Sequence, residues 1–241
     1  PDRLPAGPFL AYTDATSPRL TAALILAALD WRDRHGKGVS LDFSQAEGGI
    51  HFLSEAVLDQ AVNGYSQSRL GNSDRWSAPH GAYCCDATTD AWIAIACETD
   101  EQWAGLARLL GRDDLAGLAV SDRFVRTDEL DELIAAFVVG RNPEELQTQL
   151  QAAGVPAHSV QNSPEAIADP QLLHRDHFHE VPHEVYGHTW AEQYGFRLSR
   201  SNGSPRRAGP MWGEHNFDIL TDMLWYSGDQ IADLVVAGVL E

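Results

Sequence analysis

Residues 66–80 form a polar run between two stretches of the chain that differ in pattern. Before this run, long apolar periodicities predict helices, whereas beyond it short segments predict a mixture of strands and helices. A polar run in such a position is typical of a boundary between domains. A second polar, Gly- and Pro-containing stretch at residues 201–209 predicts another linker. The sequence therefore predicts that the chain folds into two or more packed parts rather than into a repeated unit.

Two helices and one strand are predicted before the polar run. Ser17-Pro18 combines a favoured N-cap with proline at the first helical position, and the apolar spacing that follows predicts a helix to Arg34. Val39–Ser44 alternates between apolar and polar residues, which predicts a half-buried strand. Gln45–Asn63 is predicted to be a single second helix.

Shorter elements are predicted beyond the run. Tyr83–Cys85 and Trp92–Cys97 are predicted strands, and Thr99 with Gln102 forms a capping-box pattern that opens a helix. The remaining predictions are helices at 128–138, 143–153 and from 163, a strand at 155–160, a hairpin within 174–200, and helices at 216–224 and 228–237.

The charge of the chain excludes some classes of function. Seventeen basic and 35 acidic residues give a net charge of −18, which repels nucleic-acid phosphates and anionic lipid. We therefore expect no nucleic-acid partner and no membrane partner. No apolar run approaches the length of a transmembrane helix. Three cysteines are too few for a disulfide scaffold, so a cytoplasmic location is expected.

Histidines are densest at His174, His177, His179 and His183. A zinc site needs ligands that converge on one point, and no cysteine or second motif completes such a set. A solvated hairpin is the favoured interpretation, and no metal site is predicted.

Asp14 stands just before the helix predicted from Ser17. A carboxylate in that position interacts favourably with the positive end of the helix dipole. Taken by itself, this placement favours a capping role.

Fragments along the whole chain nevertheless resemble the class III, or carnitine-dehydratase-like, CoA-transferase family in their order and spacing. The fragments are Asp14 with the alanine-rich Leu20–Leu29, Arg32–Gly38, Val39–Phe43, Glu47, Arg69–Asn72, Pro79–Tyr83, Trp92–Ala96, Asp100–Trp103, Gly154–Ala157, Asp169–Leu172, Arg175, Gly213–His215 and Gly238–Leu240.

This resemblance implies a function for Asp14, which matches the family's nucleophile. An acyl-CoA transferase of this class moves CoA from a thioester donor to a small carboxylic acid through an aspartyl-CoA thioester. CoA thioester is then a substrate, no covalently bound cofactor is expected in the resting state, and the CoA-binding residues stay unassigned. Some relatives cover the site with a glycine-rich loop, but residues 66–81 hold only Gly71 and Gly81.

The resemblance also implies an architecture. It predicts an α/β fold in which residues 1–65 and 210–241 form a helical remnant of the large domain. Residues 78–200 form a smaller α+β domain, and residues 66–77 and 201–209 are linkers. Relatives carry an N-terminal nucleotide-binding half that has no counterpart here. An interlocked homodimer, or a partner chain that supplies this half, is therefore expected.

Two alternatives stay open. In an alpha-methylacyl-CoA racemase-like isomerase, Asp14 would act as a general acid or base, although Ala15–Pro18 stands where that branch usually has glycines. The chain could also be an inactive partner subunit or an isolated fragment. His80 and Tyr83 follow the first linker and could face a cleft, but structural roles are favoured for both.

Overall fold

The computed structural model describes residues 11–201 and 203–240. The chain divides into two compact units, Pro1–Ser159 and Val160–Glu241. Residues 1–10 of the predicted large-domain segment, Asn202 of the second linker and the C-terminal Glu241 lie outside the described residues. The domain boundaries implied by the resemblance remain a prediction.

The first helix, α1, spans Tyr12–His35 and begins earlier than predicted. Its N-cap is Ala11, and the predicted start at Ser17-Pro18 is wrong because both residues lie inside the helix. The side chain of Ser17 is buried, and its hydroxyl donates to the backbone carbonyl of Gln45 at 3.4 Å. A tertiary contact thus uses the hydroxyl that would otherwise cap a helix.

The predicted second helix is two helices, α2 at Gln45–His51 and α3 at Ser54–Asn63. At the break, the backbone N–H of Phe52 donates to the carbonyl of Gly49, three residues back, which tightens the turn and interrupts the α-helical pattern. The strand predicted at Val39–Ser44 is also wrong. A strand needs a partner for its backbone hydrogen bonds, and the described residues offer none to this segment.

A three-stranded antiparallel sheet follows, as the alternating segments predicted. Its strands β1 (His80–Asp86), β2 (Ala91–Ala96) and β3 (Ala157–Ser159) lie in the order β1-β2-β3. Tyr83 pairs with Ile93, and both side chains are buried on the inner face. This alternation places the core of the first unit on one side of the sheet.

Four helices complete this unit: α4 (Asp100–Leu109), α5 (Val120–Val125), α6 (Thr127–Val138) and α7 (Pro143–Ala152). The capping box of Thr99 and Gln102 is confirmed at the start of α4. Burial of the apolar faces of the helices against the inner face of the sheet stabilises the fold. The buried cluster includes Tyr83, Cys85, Ile93, Ile95, Cys97, Trp103, Leu106, Leu130, Ile134, Val138, Leu146, Leu150 and Val155.

The second unit has fewer buried side chains. It contains α8 (Ser163–Ile167), α9 (Pro170–His174), the hairpin of β4 (Phe178–His183) and β5 (Gly187–Glu192), α10 (Asn216–Asp218), a π-helical turn at Ile219–Met223 and α11 (Gly228–Val236). The predicted hairpin and the two C-terminal helical stretches are thereby confirmed. Among the described helices, none has both the length and the apolar character needed to cross a bilayer.

Candidate active site

Asp14 is the third residue of α1 and its side chain is exposed to solvent. The predicted position ahead of the helix is wrong, because the helix begins two residues before Asp14. The N-cap position belongs to Ala11, so Asp14 does not have the capping role that its local sequence favours. An exposed carboxylate in a first helical turn stays accessible to a reactant and lies at the positive end of the helix dipole.

Gln45, the first residue of α2, is the hydrogen-bond partner of Asp14. Its side-chain amide Nε2 donates to Oδ1 of Asp14 and to Oγ1 of Thr13, the latter at 3.0 Å. An ionised carboxylate only accepts hydrogen bonds, so the amide nitrogen rather than the amide oxygen must face Asp14. Sequence reasoning did not single out Gln45, because no local pattern joins two residues 31 positions apart.

Two glycines of α2 lie close to neighbouring side chains, and one of them, Gly49, faces α1. A Cβ at Gly49 would lie 2.6 Å from Cγ2 of Thr13, and a Cβ at Gly48 would lie 2.5 Å from the ring of Phe43. Both glycines are buried, so neither position has room for a larger residue without movement of its neighbour. The close approach of α2 to α1, which brings Gln45 to Asp14, therefore depends on a small residue at position 49.

His80 and Tyr83 both line a shallow cavity of about 480 Å³, together with Asn72 and Asp131. The buried Tyr83 hydroxyl donates to Oδ1 of Asp131 at 2.7 Å, and burial, then this hydrogen bond, raises the pKa of Tyr83 far above its ordinary value. His80 is exposed, with Nδ1 2.5 Å from the carbonyl oxygen of Asn72. Asp14 does not line this cavity.

A larger cavity, of about 690 Å³, lies between α3 and the loop that follows it. The guanidinium of Arg75 stacks on the ring of Tyr65 at 3.8 Å and pairs with the carboxylate of Asp59 at 2.8 Å. Hydrogen bonds from Asn63 and then from Arg75 lower the pKa of Asp59. Because Arg75 already has a carboxylate partner, it is not an uncompensated positive charge for a phosphate.

Three of the clustered histidines contact carboxylates or backbone, among them His183, whose Nδ1 accepts from the backbone N–H of Val185 at 3.1 Å. His177 lies 3.1 Å from Glu192, and His179 lies 3.6 Å from Asp176. Within residues 11–201 and 203–240, no group of three His, Cys, Asp or Glu side chains is arranged to hold a metal ion.

The family of the chain follows from comparison with known proteins. Residues 1–216 match the model of CoA-transferase family III. The chain belongs to this family. Succinyl-CoA–D-citramalate CoA-transferase from Chloroflexus aurantiacus is 29% identical to it, over 100% of this chain and 60% of that protein. Human succinyl-CoA:glutarate CoA-transferase is 26% identical, over 98% of this chain and 54% of that protein.

Solved structures agree on the fold of this family III chain. A CAIB/BAIF family protein from Brucella suis superimposes with a TM-score of 0.79 at 24% sequence identity, over 92% of this chain and 58% of that one. The chain thus has the mixed helix and strand fold of that family. It spans less than two thirds of the length of each of these relatives.

Proposed function

We propose that this chain carries the nucleophile of a transferase that moves CoA from succinyl-CoA to a small dicarboxylic acid. The observation that carries the proposal is the exposed carboxylate of Asp14 at the start of α1, in a chain of CoA-transferase family III. The donor and the class of acceptor are taken from the names of the relatives, which use succinyl-CoA with citramalate or glutarate. Both acceptors are dicarboxylic acids.

In the first half of the proposed reaction, one oxygen of Asp14 attacks the thioester carbonyl carbon. A carbon–oxygen bond forms, the carbon–sulfur bond breaks, and CoA leaves as a thiolate. The thiolate then attacks Cγ of Asp14 in the mixed anhydride. Succinate leaves, and an aspartyl-CoA thioester remains.

In the second half, the incoming acid takes over the CoA. Its carboxylate attacks Cγ of the aspartyl thioester, CoA leaves again as thiolate, and a new mixed anhydride forms. Attack of that thiolate on the acid's own carbonyl carbon gives the product thioester and regenerates the carboxylate of Asp14. No metal or redox group is needed to balance these steps.

The proposal also assigns a part of CoA binding to protein other than this chain. CoA carries several phosphate charges, whereas this chain has 35 acidic and 17 basic residues. We therefore propose that other protein supplies cations for the phosphates. A partner chain with the nucleotide-binding half that the resemblance implies would supply them.

Trapping of the covalent intermediate tests the proposal. The full natural protein is incubated with succinyl-CoA alone, and the peptide that contains Asp14 is examined by mass spectrometry with and without hydroxylamine. We expect a hydroxylamine-sensitive CoA adduct that is lost in Asp14→Asn. Asp30→Asn is the matched control, because Asp30 is an exposed carboxylate on the same helix.

Two results would overturn the proposal. Absence of any adduct on the Asp14 peptide would leave the chain as an inactive partner or fragment. Exchange of the α-proton of a 2-methylacyl-CoA in deuterium oxide, without any acceptor acid, would instead identify the isomerase alternative.

A further inference from the structure

We propose that Gln45 is a catalytic residue whose side-chain amide stabilises the oxyanion that forms on Asp14 itself. This inference rests on the proposed function of Asp14 and assigns a role to a residue that the sequence did not indicate. Its basis is the pair of hydrogen bonds from Nε2 of Gln45 to Oδ1 of Asp14 and to Oγ1 of Thr13.

The geometry gives the two oxygens of Asp14 different roles. The hydrogen bond from Gln45 withdraws electron density from Oδ1, so the other oxygen is the better nucleophile toward a thioester. After that attack, Oδ1 is the carbonyl oxygen of the mixed anhydride and later of the aspartyl-CoA thioester. The amide N–H of Gln45 therefore points at the carbonyl oxygen of both covalent intermediates.

Two steps of the reaction place negative charge on this oxygen. When the CoA thiolate attacks Cγ of the anhydride, the sulfur–carbon bond forms and the π electrons of the carbonyl move onto Oδ1. The same charge develops when the acceptor carboxylate attacks Cγ of the thioester. A donor already aimed at an oxygen where charge develops lowers the barrier, because it needs no reorganisation during the reaction.

The other two steps place charge elsewhere. When Asp14 attacks succinyl-CoA, and when thiolate attacks the second anhydride at the acid's carbon, the oxyanion is on the substrate. Gln45 therefore acts on the steps that make and consume the aspartyl-CoA thioester. Groups other than Gln45 must supply the hydrogen-bond donors for the remaining two steps.

Removal of the Gln45 side chain should not disturb the local fold. Two contacts between α1 and α2 do not need this exposed side chain: the hydrogen bond from Ser17 to the backbone carbonyl of Gln45, and the packing of Gly49 on Thr13. Gln60 is a matched control on α3. It is also exposed, and its side chain accepts from Ser66 at 2.7 Å.

The first test measures the appearance of the CoA adduct on Asp14 by rapid quench and mass spectrometry, in the full natural protein with succinyl-CoA. We expect the rate constant in Gln45→Ala to fall by about 100-fold, the loss typical of removing one oxyanion donor. Gln60→Ala should react at the native rate. The thermal midpoints of both variants should match that of the native protein.

The second test uses Gln45→Glu, which keeps the size of the side chain. An ionised glutamate cannot donate and repels the carboxylate of Asp14, whereas a protonated glutamate donates as the amide does. We therefore expect the rate of this variant, divided by the native rate, to rise as the pH falls. A purely structural role for Gln45 would produce no such rise.

The outcomes separate this inference from the proposed function. If native protein forms no CoA adduct on Asp14, the proposed function fails and the role of Gln45 fails with it. If native protein forms the adduct and both Gln45 variants form it at the native rate, only the role of Gln45 is overturned. Slower adduct formation in Gln45→Ala, together with the pH response of Gln45→Glu, supports it.

Discussion

The hydroxyl of Tyr83 on β1 lies 2.7 Å from Oδ1 of Asp131 on α6 and donates a hydrogen bond to it. Burial raises the pKa of Asp131, and the hydrogen bond from Tyr83 lowers it by a smaller amount. The hydrogen bond between these two side chains connects α6 to β1, an edge strand of the sheet. The structural role favoured for Tyr83 is consistent with this contact.

Asp131 should make the stability of the protein depend on pH. Because its pKa is raised in the folded protein, the folded state binds this proton more tightly than the unfolded state does. Its contribution is therefore fully present below the unfolded pKa and is lost as the pH rises through the folded pKa. Asp131→Asn keeps an oxygen that can accept from Tyr83, so we expect this variant to lose that part of the pH dependence. Urea unfolding at several pH values measures the difference.

Tyr83→Phe is the companion variant for this pair. It removes the donor and leaves a partly buried carboxylate without its partner, so we expect a loss of about 1–2 kcal/mol at neutral pH. An unchanged free energy of unfolding in Tyr83→Phe, or an unchanged pH dependence in Asp131→Asn, would contradict this account.

Gly49→Ala should slow CoA transfer although neither Asp14 nor Gln45 is substituted. The added Cβ would lie 2.6 Å from Cγ2 of Thr13, so either Thr13, which accepts from Gln45, or α2, which carries Gln45, must shift. We expect at least a 10-fold lower rate of CoA transfer, because displacement of a reacting group by an ångström can cost about 100-fold. A steady-state assay with succinyl-CoA and an acceptor acid measures it.

A second substitution tests the cause of that loss. Thr13→Ser removes the methyl group that meets the new Cβ and keeps the hydroxyl that accepts from Gln45. The double variant should therefore recover much of the native rate. Gly38→Ala is the control, since a Cβ there meets nothing within 4 Å. Failure of Thr13→Ser to restore activity would show that the loss has another origin.

The three cysteines should differ in reactivity toward a thiol reagent. Burial raises the pKa of Cys97 to about 12, and burial also raises the pKa of Cys85, whereas Cys84 is only half-buried. At pH 8 roughly one Cys97 side chain in 10,000 is then a thiolate, the reactive form. We expect one fast-reacting thiol in the folded protein and three after unfolding, with the fast phase absent in Cys84→Ser. Two or more fast thiols in the folded protein would contradict the buried placement of Cys85 and Cys97.

Arg123 should contribute more to stability than its partner Asp100. The guanidinium is fully buried and donates to the carbonyl oxygens of Ala78 and Leu118 as well as to Asp100, at 2.6 Å. Asp100, in contrast, is 58% exposed. We expect Arg123→Met to lower the free energy of unfolding by about 3 kcal/mol and Asp100→Asn by about 1 kcal/mol, measured by urea unfolding. Equal losses in the two variants would argue against this ranking.

Local signals predicted many of the element boundaries correctly. Thr99 with Gln102, and Asn142 with Glu145, satisfy the first N–H groups of α4 and α7 within three residues, so the pattern alone is sufficient. Gly36 ends α1 in the left-handed conformation that glycine adopts without a Cβ clash. Such signals act between residues close in the chain, and they change little when the fold around them changes.

Two wrong predictions of secondary structure have a common cause. Ser17-Pro18 has the local pattern of a helix start, but the Ser17 hydroxyl binds a carbonyl on α2, and α1 begins at Tyr12. Val39–Ser44 alternates like a strand, yet the described residues contain no partner for it. Both patterns needed information about distant residues, which periodicity and capping rules do not contain.

The sequence by itself determined the helices and strands whose ends are marked by nearby capping and turn residues. It also determined the order of fragments that resembles the family. Only the tertiary structure decided that Asp14 lies inside the first turn of α1 and accepts from Gln45, 31 residues away. The physical reason is that this hydrogen bond depends on the close packing of α2 on α1, where Gly49 lies against Thr13. Packing of that kind follows from the surrounding contacts of the folded chain, not from the residues beside Asp14.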